Sequence, residues 1–418
     1  MLKNSEATFK EFDRSSLDSL AFDQAKAQSH ALGNPKEHQD LQSKETVFDW
    51  DYQEYQFQEA SKILEKSGKV EKIVVEEAGC NPMIIYRIGD PNVVIVSHIH
   101  GDEPGPAIPM FLQLTEKILR DDPAMKNVLI IPRANEEAYL QKNRGVQLDQ
   151  ELLDRMVEAK RINPKQREEI LNTDGSINKL LFTKYLTESG SYISNGEDEN
   201  GNETSYVDLN RQFIELEEGV TPSPDQLFPK AGQLLKAIKT YAPQAKHGFS
   251  FHADNWSTTT QINENGEQVE KQSGCYMYDT PNFFSNNEKM DPKNEKFIQE
   301  CVLNFQNTMR AQGLPLLNGI DDITDKLLGM NLFVDGYAQL PASEEINKST
   351  KEVVPITKET HNKNFETAIV RWGMDRCWSL ETSGWINPDR RADVNKILLD
   401  TIVLPIMKSI LYNNQPLS

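Results

Sequence analysis

Two histidines and two carboxylates follow a short apolar run near residue 100. Residues 93–105 read VVIVSHIHGDEPG. His100 and Glu103 have the H-x-x-E spacing, which on a turn after a strand lets an imidazole and a carboxylate approach one ion. A polar turn with a capping carboxylate would use the same residue types. Gly101 and Gly105 allow a tight turn beside a helix N-terminus, and this context favours the ion site.

A catalytic zinc ion keeps three protein ligands and one open position, so a distant third ligand is required. His252 ends another apolar run, in HGFSFHADNW at residues 247–256, and is the candidate, although a histidine at a strand end is often structural. His247 begins that run and would lie at the opposite edge of the sheet. His98 is a rival ligand, which we interpret as a packed or supporting residue.

Two further stretches carry residues suited to a substrate carboxylate and to proton transfer. They read DLNRQF at residues 208–213 and SLETS at residues 379–383. Asn210 and Arg211 offer a set of donors that suits a carboxylate, and Glu381, closing an apolar strand, suits a general base. A capping turn with a surface arginine and a strand-end salt bridge are the structural alternatives. The four stretches together favour the functional interpretation.

Strands and helices alternate along the chain in a way that would position these residues. An unbroken apolar run at 92–97 predicts a strand covered on both faces, and an amphipathic helix over 106–119 follows it. Such units predict an α/β fold with a doubly wound mixed sheet flanked by helices, whose ligands bind beyond the carboxyl ends of the strands. Further strands are predicted at 72–76, 83–87, 128–132, 246–251, 274–278 and 376–380, and further helices at 52–67, 226–241, 292–312 and 394–412.

The composition divides the chain into an arm and one large domain. Residues 1–45 are polar and predict an N-terminal arm with one helix at 17–32. A single catalytic domain is predicted over 46–418, with polar insertions at about 146–205 and 314–363. The first insertion carries helical pieces, and its acidic loop at 197–203 is expected to be solvated.

Charge and cysteine usage exclude several functional classes. The 418 residues carry a net charge of −19, which disfavours nucleic acid and anionic membranes as partners. The four cysteines are far apart and show no CxxC spacing, so neither a zinc ribbon nor a disulfide framework is predicted. No signal peptide and no run of about 18 apolar residues is found, so we expect a cytoplasmic protein.

With these motifs assembled, the chain resembles the zinc carboxypeptidase family, in the clan that also holds aspartoacylase and succinylglutamate desuccinylase. The resemblance rests on HGDE, VDLNRQF, FHAD and SLETSG and spans about residues 68–412. It implies Zn²⁺ bound by three ligands and a substrate carboxylate held by an asparagine–arginine pair. The residues that match are the ligands His100, Glu103 and His252, the pair Asn210 and Arg211, and the general base Glu381.

The oxyanion-stabilising arginine of the family has two candidates here. Arg144, in QKNRGV, is the best match, and Arg133 competes with it. The family's carboxypeptidases also carry a mobile tyrosine upstream of the general base, whereas residues 359–373 contain none and Tyr337 lies further back.

The expected activity follows from this resemblance. Aspartoacylase-like members place a β-rich domain after the base, but a loop and one helix are predicted here, which favours the carboxypeptidase type. We expect a zinc-dependent hydrolase that cleaves an amide bond next to a free carboxylate, in a short peptide or an amino-acid conjugate. An N-acyl amino acid deacylase is the alternative, and a non-catalytic binding module on the same fold is the alternative from another class.

Overall fold

The computed structural model describes most of the chain between residues 50 and 413. The predicted arm at 1–45, the helix at 17–32 and most of the acidic loop at 197–203 lie outside the described residues. The described ranges are 50–197, 203–213, 223–254, 258–262, 268–272, 274–281, 292–317, 319–321, 332–333, 336–339, 344–346, 353–355, 364–383 and 388–413.

Helices and strands alternate through the first half of the described chain, as the apolar periodicity predicts. The helices are α1 (Trp50–Ser67), α2 (Pro104–Leu119), α3 (Glu136–Leu140), α4 (Gln150–Glu158), α5 (Pro164–Ile170), α6 (Lys179–Glu188), α7 (Pro229–Tyr241), α8 (Pro292–Ala311), α9 (Phe365–Arg371), α10 (Pro388–Leu398) and α11 (Leu404–Asn413). The strands are β1 (Glu71–Val75), β2 (Met83–Ile88), β3 (Val93–Ser97), β4 (Val128–Ile131), β5 (Val146–Gln147), β6 (Ser194–Glu197), β7 (Glu203–Val207), β8 (His247–Asp254), β9 (Thr258–Ile262), β10 (Gln268–Gln272), β11 (Tyr276–Pro281), β12 (Gly319–Asp321), β13 (Leu332–Phe333), β14 (Tyr337–Gln339), β15 (Glu344–Ile346), β16 (Val353–Pro355) and β17 (Arg376–Ser383).

The main sheet has eight strands in the order β1-β2-β4-β3-β8-β17-β11-β14. Strands β4, β3, β8 and β17 run parallel to one another. Strand β2 pairs antiparallel with β1 and β4, and β11 pairs antiparallel with β17 but parallel with β14. The prediction of an α/β fold with a mixed sheet is therefore confirmed. Because the four central strands are parallel, their carboxyl ends lie at one edge, where ligands of such sheets bind.

Helices cover both faces of this sheet, and each face has its own apolar core. All five residues of β3 are buried, as the unbroken apolar run predicts. Val93 and Ile95 belong to the core that contains Phe111 of α2, whereas Val94 and Val96 belong to the core that contains Leu235 of α7. Alternate burial on two faces fixes the register of β3, because a one-residue slip would exchange the two sets of side chains.

Several predicted elements differ from the observed ones. The predicted strand at 376–380 extends to Ser383, so Glu381 lies within β17. The predicted strand at 246–251 extends to Asp254, so His252 lies within β8 instead of following it. The terminal helix predicted over 394–412 is two helices, α10 and α11, joined by a π-helical turn at Leu399–Val403. No helix among the described residues is long and apolar enough to cross a membrane.

Candidate metal centre and active site

The chain turns sharply where β3 ends. His98 directly follows the strand and has a φ of 53°, a conformation uncommon for residues other than glycine. Its carbonyl accepts the Asn135 N–H at 2.9 Å, and the Ser97 hydroxyl donates to the Pro132 carbonyl at 2.8 Å. These bonds fasten the turn to the segment after β4.

Gly101 allows the turn to lie directly against α3. A Cβ atom at this position would stand 2.1 Å from the backbone carbon of Ala138, so any side chain here would displace α3. The Gly101 N–H donates to the carbonyl of Arg144 at 3.3 Å. The glycine therefore joins the turn to the loop that carries Arg144.

Glu103 occupies the N-cap position of α2, but its side chain does not cap the helix. Its two carboxylate oxygens instead lie 2.7 Å from Nδ1 of His100 and 3.1 Å from Nδ1 of His252. The backbone N–H of Ala253 also donates to the carboxylate, at 3.2 Å. The turn therefore presents this carboxylate to the two histidines, which is what an ion site requires and a capping turn does not.

Strands β8 and β17 bring the second histidine to the proposed base. In their parallel register His252 pairs with Glu381, and Ser250 pairs with Ser379, so the four side chains share one face of the sheet. Each serine supports the residue two positions further along its own strand. Ser250 Oγ lies 2.8 Å from Nε2 of His252, and the Ser379 hydroxyl donates to Glu381 at 3.1 Å.

His100, Glu103 and His252 form a group that could hold a metal ion. One ligand atom from each lies within 4.8 Å of the other two, and the residues are only 2%, 3% and 1% exposed. Both imidazoles turn Nδ1 toward the same carboxylate. Two imidazoles and a carboxylate are a donor set of catalytic zinc sites, so the residues present fit the ion that the sequence predicts.

The charges in this group depend on one another. Burial raises the pKa of Glu103, but His100 and His252 outweigh burial and hold that pKa below its usual value. Burial also lowers the pKa of His252, yet Glu381 and the hydrogen bonds to Glu103 and Glu366 raise it well above the ordinary value. The buried carboxylates therefore favour positive charge at this position.

A second carboxylate contacts each histidine, at the ring nitrogen that does not face Glu103. Asp208 Oδ1 is 3.1 Å from Nε2 of His100, and Glu366 Oε1, on α9, is 3.1 Å from Nε2 of His252. Sequence reasoning assigned a role to neither acid. Asp208 stands in the quoted motif, two residues before Asn210, and that position was the available signal. Glu366 lies in an ordinary helical stretch and gave no signal.

The predicted carboxylate-binding pair lies on a short 3₁₀ turn at Leu209–Arg211. Asn210 is 7% exposed, and its side-chain oxygen accepts the backbone N–H of Phe365 at 2.8 Å. This bond fixes the orientation of the amide, so its N–H₂ group is the end that could donate to a substrate. The Arg211 guanidinium donates to the backbone carbonyl of Asn210 at 3.1 Å. This bond keeps the guanidinium close to the Asn210 residue.

The two candidate arginines occupy different surroundings. Arg144 lies beside the candidate ligands: its guanidinium is 3.2 Å from Glu103 and 3.4 Å from Asp208. Arg133 lies between the rings of Phe57 and Tyr139, 3.7 and 4.0 Å from their centroids. Its charge is paired with glutamates on α1 and α3. Of the two, Arg144 is the one that contacts a candidate ligand.

Three other predicted positions lie outside the group of ligands. His98 is buried, with Nδ1 3.2 Å from the Pro132 carbonyl and its ring against Tyr139, so it packs instead of ligating. His247 begins β8 at the amino-terminal edge of the sheet, as expected. Tyr337 donates to Asp279 at 3.0 Å within the sheet.

Similarity to known proteins is found only among solved structures. No protein-family model and no curated protein matches the chain. A proposed metallopeptidase from Shewanella baltica is 13% identical with a TM-score of 0.48, over 85% of this chain and 91% of that one.

Two further solved structures are similar at the same level. A metallo-carboxypeptidase from Burkholderia cenocepacia is 12% identical with a TM-score of 0.42, over 85% of this chain and 70% of that one. Bovine thrombin-activatable fibrinolysis inhibitor, solved with a tick carboxypeptidase inhibitor, is 12% identical with a TM-score of 0.45, over 86% of this chain and 97% of that one.

Proposed function

We propose that this protein is a zinc-dependent hydrolase that cleaves an amide bond next to a free carboxylate, and that it is a metallocarboxypeptidase-like peptidase. The observation that carries the proposal is the convergence of three buried ligand residues from two distant segments. Glu381 pairs with one of these ligands in the strand register. A general base placed beside a metal site is the arrangement that metal-assisted hydrolysis needs.

Zinc is the proposed metal, because two imidazoles and one carboxylate with a fourth position open are a donor set of catalytic zinc sites. A zinc ion held there would polarise the scissile carbonyl and acidify water. The remaining functions fall to side chains of this chain.

Glu381 is the proposed general base. Its carboxylate accepts a hydrogen bond from Ser379 at 3.1 Å, which restrains its orientation. In the proposed reaction Glu381 takes a proton from the attacking water and passes that proton to the leaving amine. The carboxylate is therefore restored at the end of each cycle.

Asn210 and Arg211 are the proposed recognition pair, and Arg144 is the proposed stabiliser of the developing oxyanion. A guanidinium and an amide N–H₂ group are both donors, which suits a substrate carboxylate. Arg144 is 36% exposed on its side chain and already touches Glu103, so it lies at the edge of the centre with donors available to a bound substrate.

Three substrates would test this function on the zinc-loaded protein. We expect release of the C-terminal amino acid from an N-blocked dipeptide with a free carboxylate, and little turnover of the corresponding C-terminal amide. Hydrolysis of an N-acetyl amino acid without cleavage of the dipeptide would favour the deacylase instead. Turnover of none of the three would favour the binding module.

A variant of Arg211 provides the matched control for the carboxylate. Arg211→Ala should raise the KM for the free-carboxylate dipeptide, because the variant loses a charge-assisted contact. The slow hydrolysis of the amide should change little. Equal loss with both substrates would contradict the recognition role of Arg211.

A further inference from the structure

Glu366 contacts Nε2 of His252 in the same way that Asp208 contacts Nε2 of His100. The Nε2 atom of His252 is 3.1 Å from Glu366 Oε1 and 2.8 Å from the Ser250 hydroxyl. Glu366 is 3% exposed and comes from α9, which is 114 positions further along the chain than His252. Among the described residues, both histidines thus have one carboxylate at each ring nitrogen.

The hydrogen-bonding capacity of these groups decides which ring nitrogen of His252 carries the proton. A neutral imidazole has one N–H and one lone pair, whereas a carboxylate only accepts. Carboxylates face both ring nitrogens of His252. An ion bound on the Glu103 side would need the lone pair of Nδ1, so the single ring proton would then lie on Nε2, where Glu366 accepts it. The Nδ1 atom is the one that faces Glu103, and the centroid of the His100 ring lies 5.1 Å from that of His252.

The first turn of α9 also reaches the recognition pair. Asn364 caps this helix, and the backbone N–H of Phe365 donates to the side-chain oxygen of Asn210 at 2.8 Å. The next residue is Glu366. Two successive residues of one helical turn therefore contact the carboxylate-binding asparagine and the second histidine, so displacement of that turn would disturb both.

We propose that Glu366 is a positioning residue, which fixes the tautomer and ring orientation of His252 so that Nδ1 is presented as a metal ligand. This inference rests on the proposed metal site and assigns a function to a residue outside the ligand set. Outer carboxylates of this kind orient histidine ligands and raise their basicity, and their loss typically lowers metal affinity by about 10–100-fold.

Zinc affinity, measured by competition with a chromophoric chelator, tests the inference without reference to activity. Glu366→Gln keeps the size of the side chain but removes its charge, and we expect zinc affinity about 10–100-fold weaker than in the wild type. Glu366→Asp keeps the charge on a shorter side chain and should restore part of the affinity. If the glutamine variant does not fold, the zinc affinity of the aspartate variant still measures the effect of moving the carboxylate.

Glu137→Gln is the matched control for loss of a buried carboxylate. Glu137 is also 3% exposed, and it accepts the Asn81 N–H at 2.7 Å, in a contact that includes no candidate ligand. This variant should lower the Tm of the metal-free protein but leave its zinc affinity unchanged. A purely structural Glu366 would behave in the same way.

The outcomes separate this inference from the proposed function. If the wild type binds zinc and hydrolyses the dipeptide while Glu366→Gln binds zinc within twofold of it, the positioning role is wrong and the function stands. Failure of the wild type itself to bind zinc would overturn both. Weakened binding in the glutamine variant, with partial recovery in the aspartate variant, supports the positioning role.

Discussion

His252 and Glu381 occupy paired positions on adjacent parallel strands, so a candidate metal ligand and the proposed general base project from the same face of the sheet. The register repeats the relationship two residues earlier, where Ser250 pairs with Ser379. The distance between ligand and base is therefore set by backbone hydrogen bonding of central strands, and rigid elements of this kind hold a site more accurately than loops do.

Replacing Glu381 with glutamine should separate metal binding from turnover. Glu381→Gln keeps the shape of the side chain but removes the proton acceptor, so we expect kcat to fall by about 10²–10⁴-fold. Zinc content should remain at the wild-type value, because Glu381 is outside the ligand group. Steady-state kinetics and elemental analysis of the same preparation measure both, and retained turnover would rule out Glu381 as the base.

Replacing Asn210 with aspartate should weaken substrate binding while the local structure is kept. The side-chain oxygen that accepts the Phe365 N–H is preserved in Asn210→Asp, but the amide donor is lost and a negative charge faces the substrate carboxylate. We expect KM to rise by about 10–100-fold, the value of one charge-assisted hydrogen bond. An unchanged KM in the presence of an unchanged Tm would show that the amide does not contact the substrate.

Conservative changes at the two arginines should distinguish their functions. Arg144→Lys replaces the planar fork that reaches Glu103 and Asp208, and we expect kcat to fall by about 10²–10³-fold, as for loss of an oxyanion donor. Arg133→Lys should lower the Tm, because the stacking between Phe57 and Tyr139 is lost, with kcat of the folded enzyme unchanged. The reverse pattern would assign the oxyanion role to Arg133.

A methyl group at Gly101 should disturb the metal site through the backbone. The Cβ of Gly101→Ala would meet α3 at 2.1 Å, and we expect the free energy of unfolding to fall by about 1–3 kcal/mol together with weaker zinc binding. Gly175→Ala is the control for destabilisation away from the site. Gly175 lies in an exposed turn with a φ of 82°, so alanine would be strained there, but no atom lies close enough to be displaced. Equal zinc affinities in the two variants would show that the turn tolerates displacement.

The sequence predicted the strand-end residues well because their signals are local. The apolar run at 93–97 identifies a buried central strand, and the residues that follow it lie at the ligand-binding edge of any parallel sheet. His100 and Glu103 could be placed on these grounds. The orientation of the Glu103 side chain could not be predicted, since a carboxylate that caps a helix and a carboxylate that binds an ion can have the same local sequence.

The carboxylates behind the histidines were missed because their contacts are long-range. Asp208 and His100 are 108 positions apart, and Glu366 and His252 are 114 apart. No periodicity or spacing records such a contact. Tertiary packing also separates Arg144, which contacts Glu103, from Arg133, which lies against Phe57 and Tyr139. The sequence favoured Arg144 only through its resemblance to the family.

The zinc content of the purified protein tests the central claim most directly. We would measure it by elemental mass spectrometry after reconstitution and dialysis, in the wild type and in His252→Ala. We expect one zinc ion per wild-type chain and its loss in the variant, since the third ligand is removed. A wild-type protein that retains no zinc, or a variant that retains it fully, would contradict the metal site from which the proposed function follows.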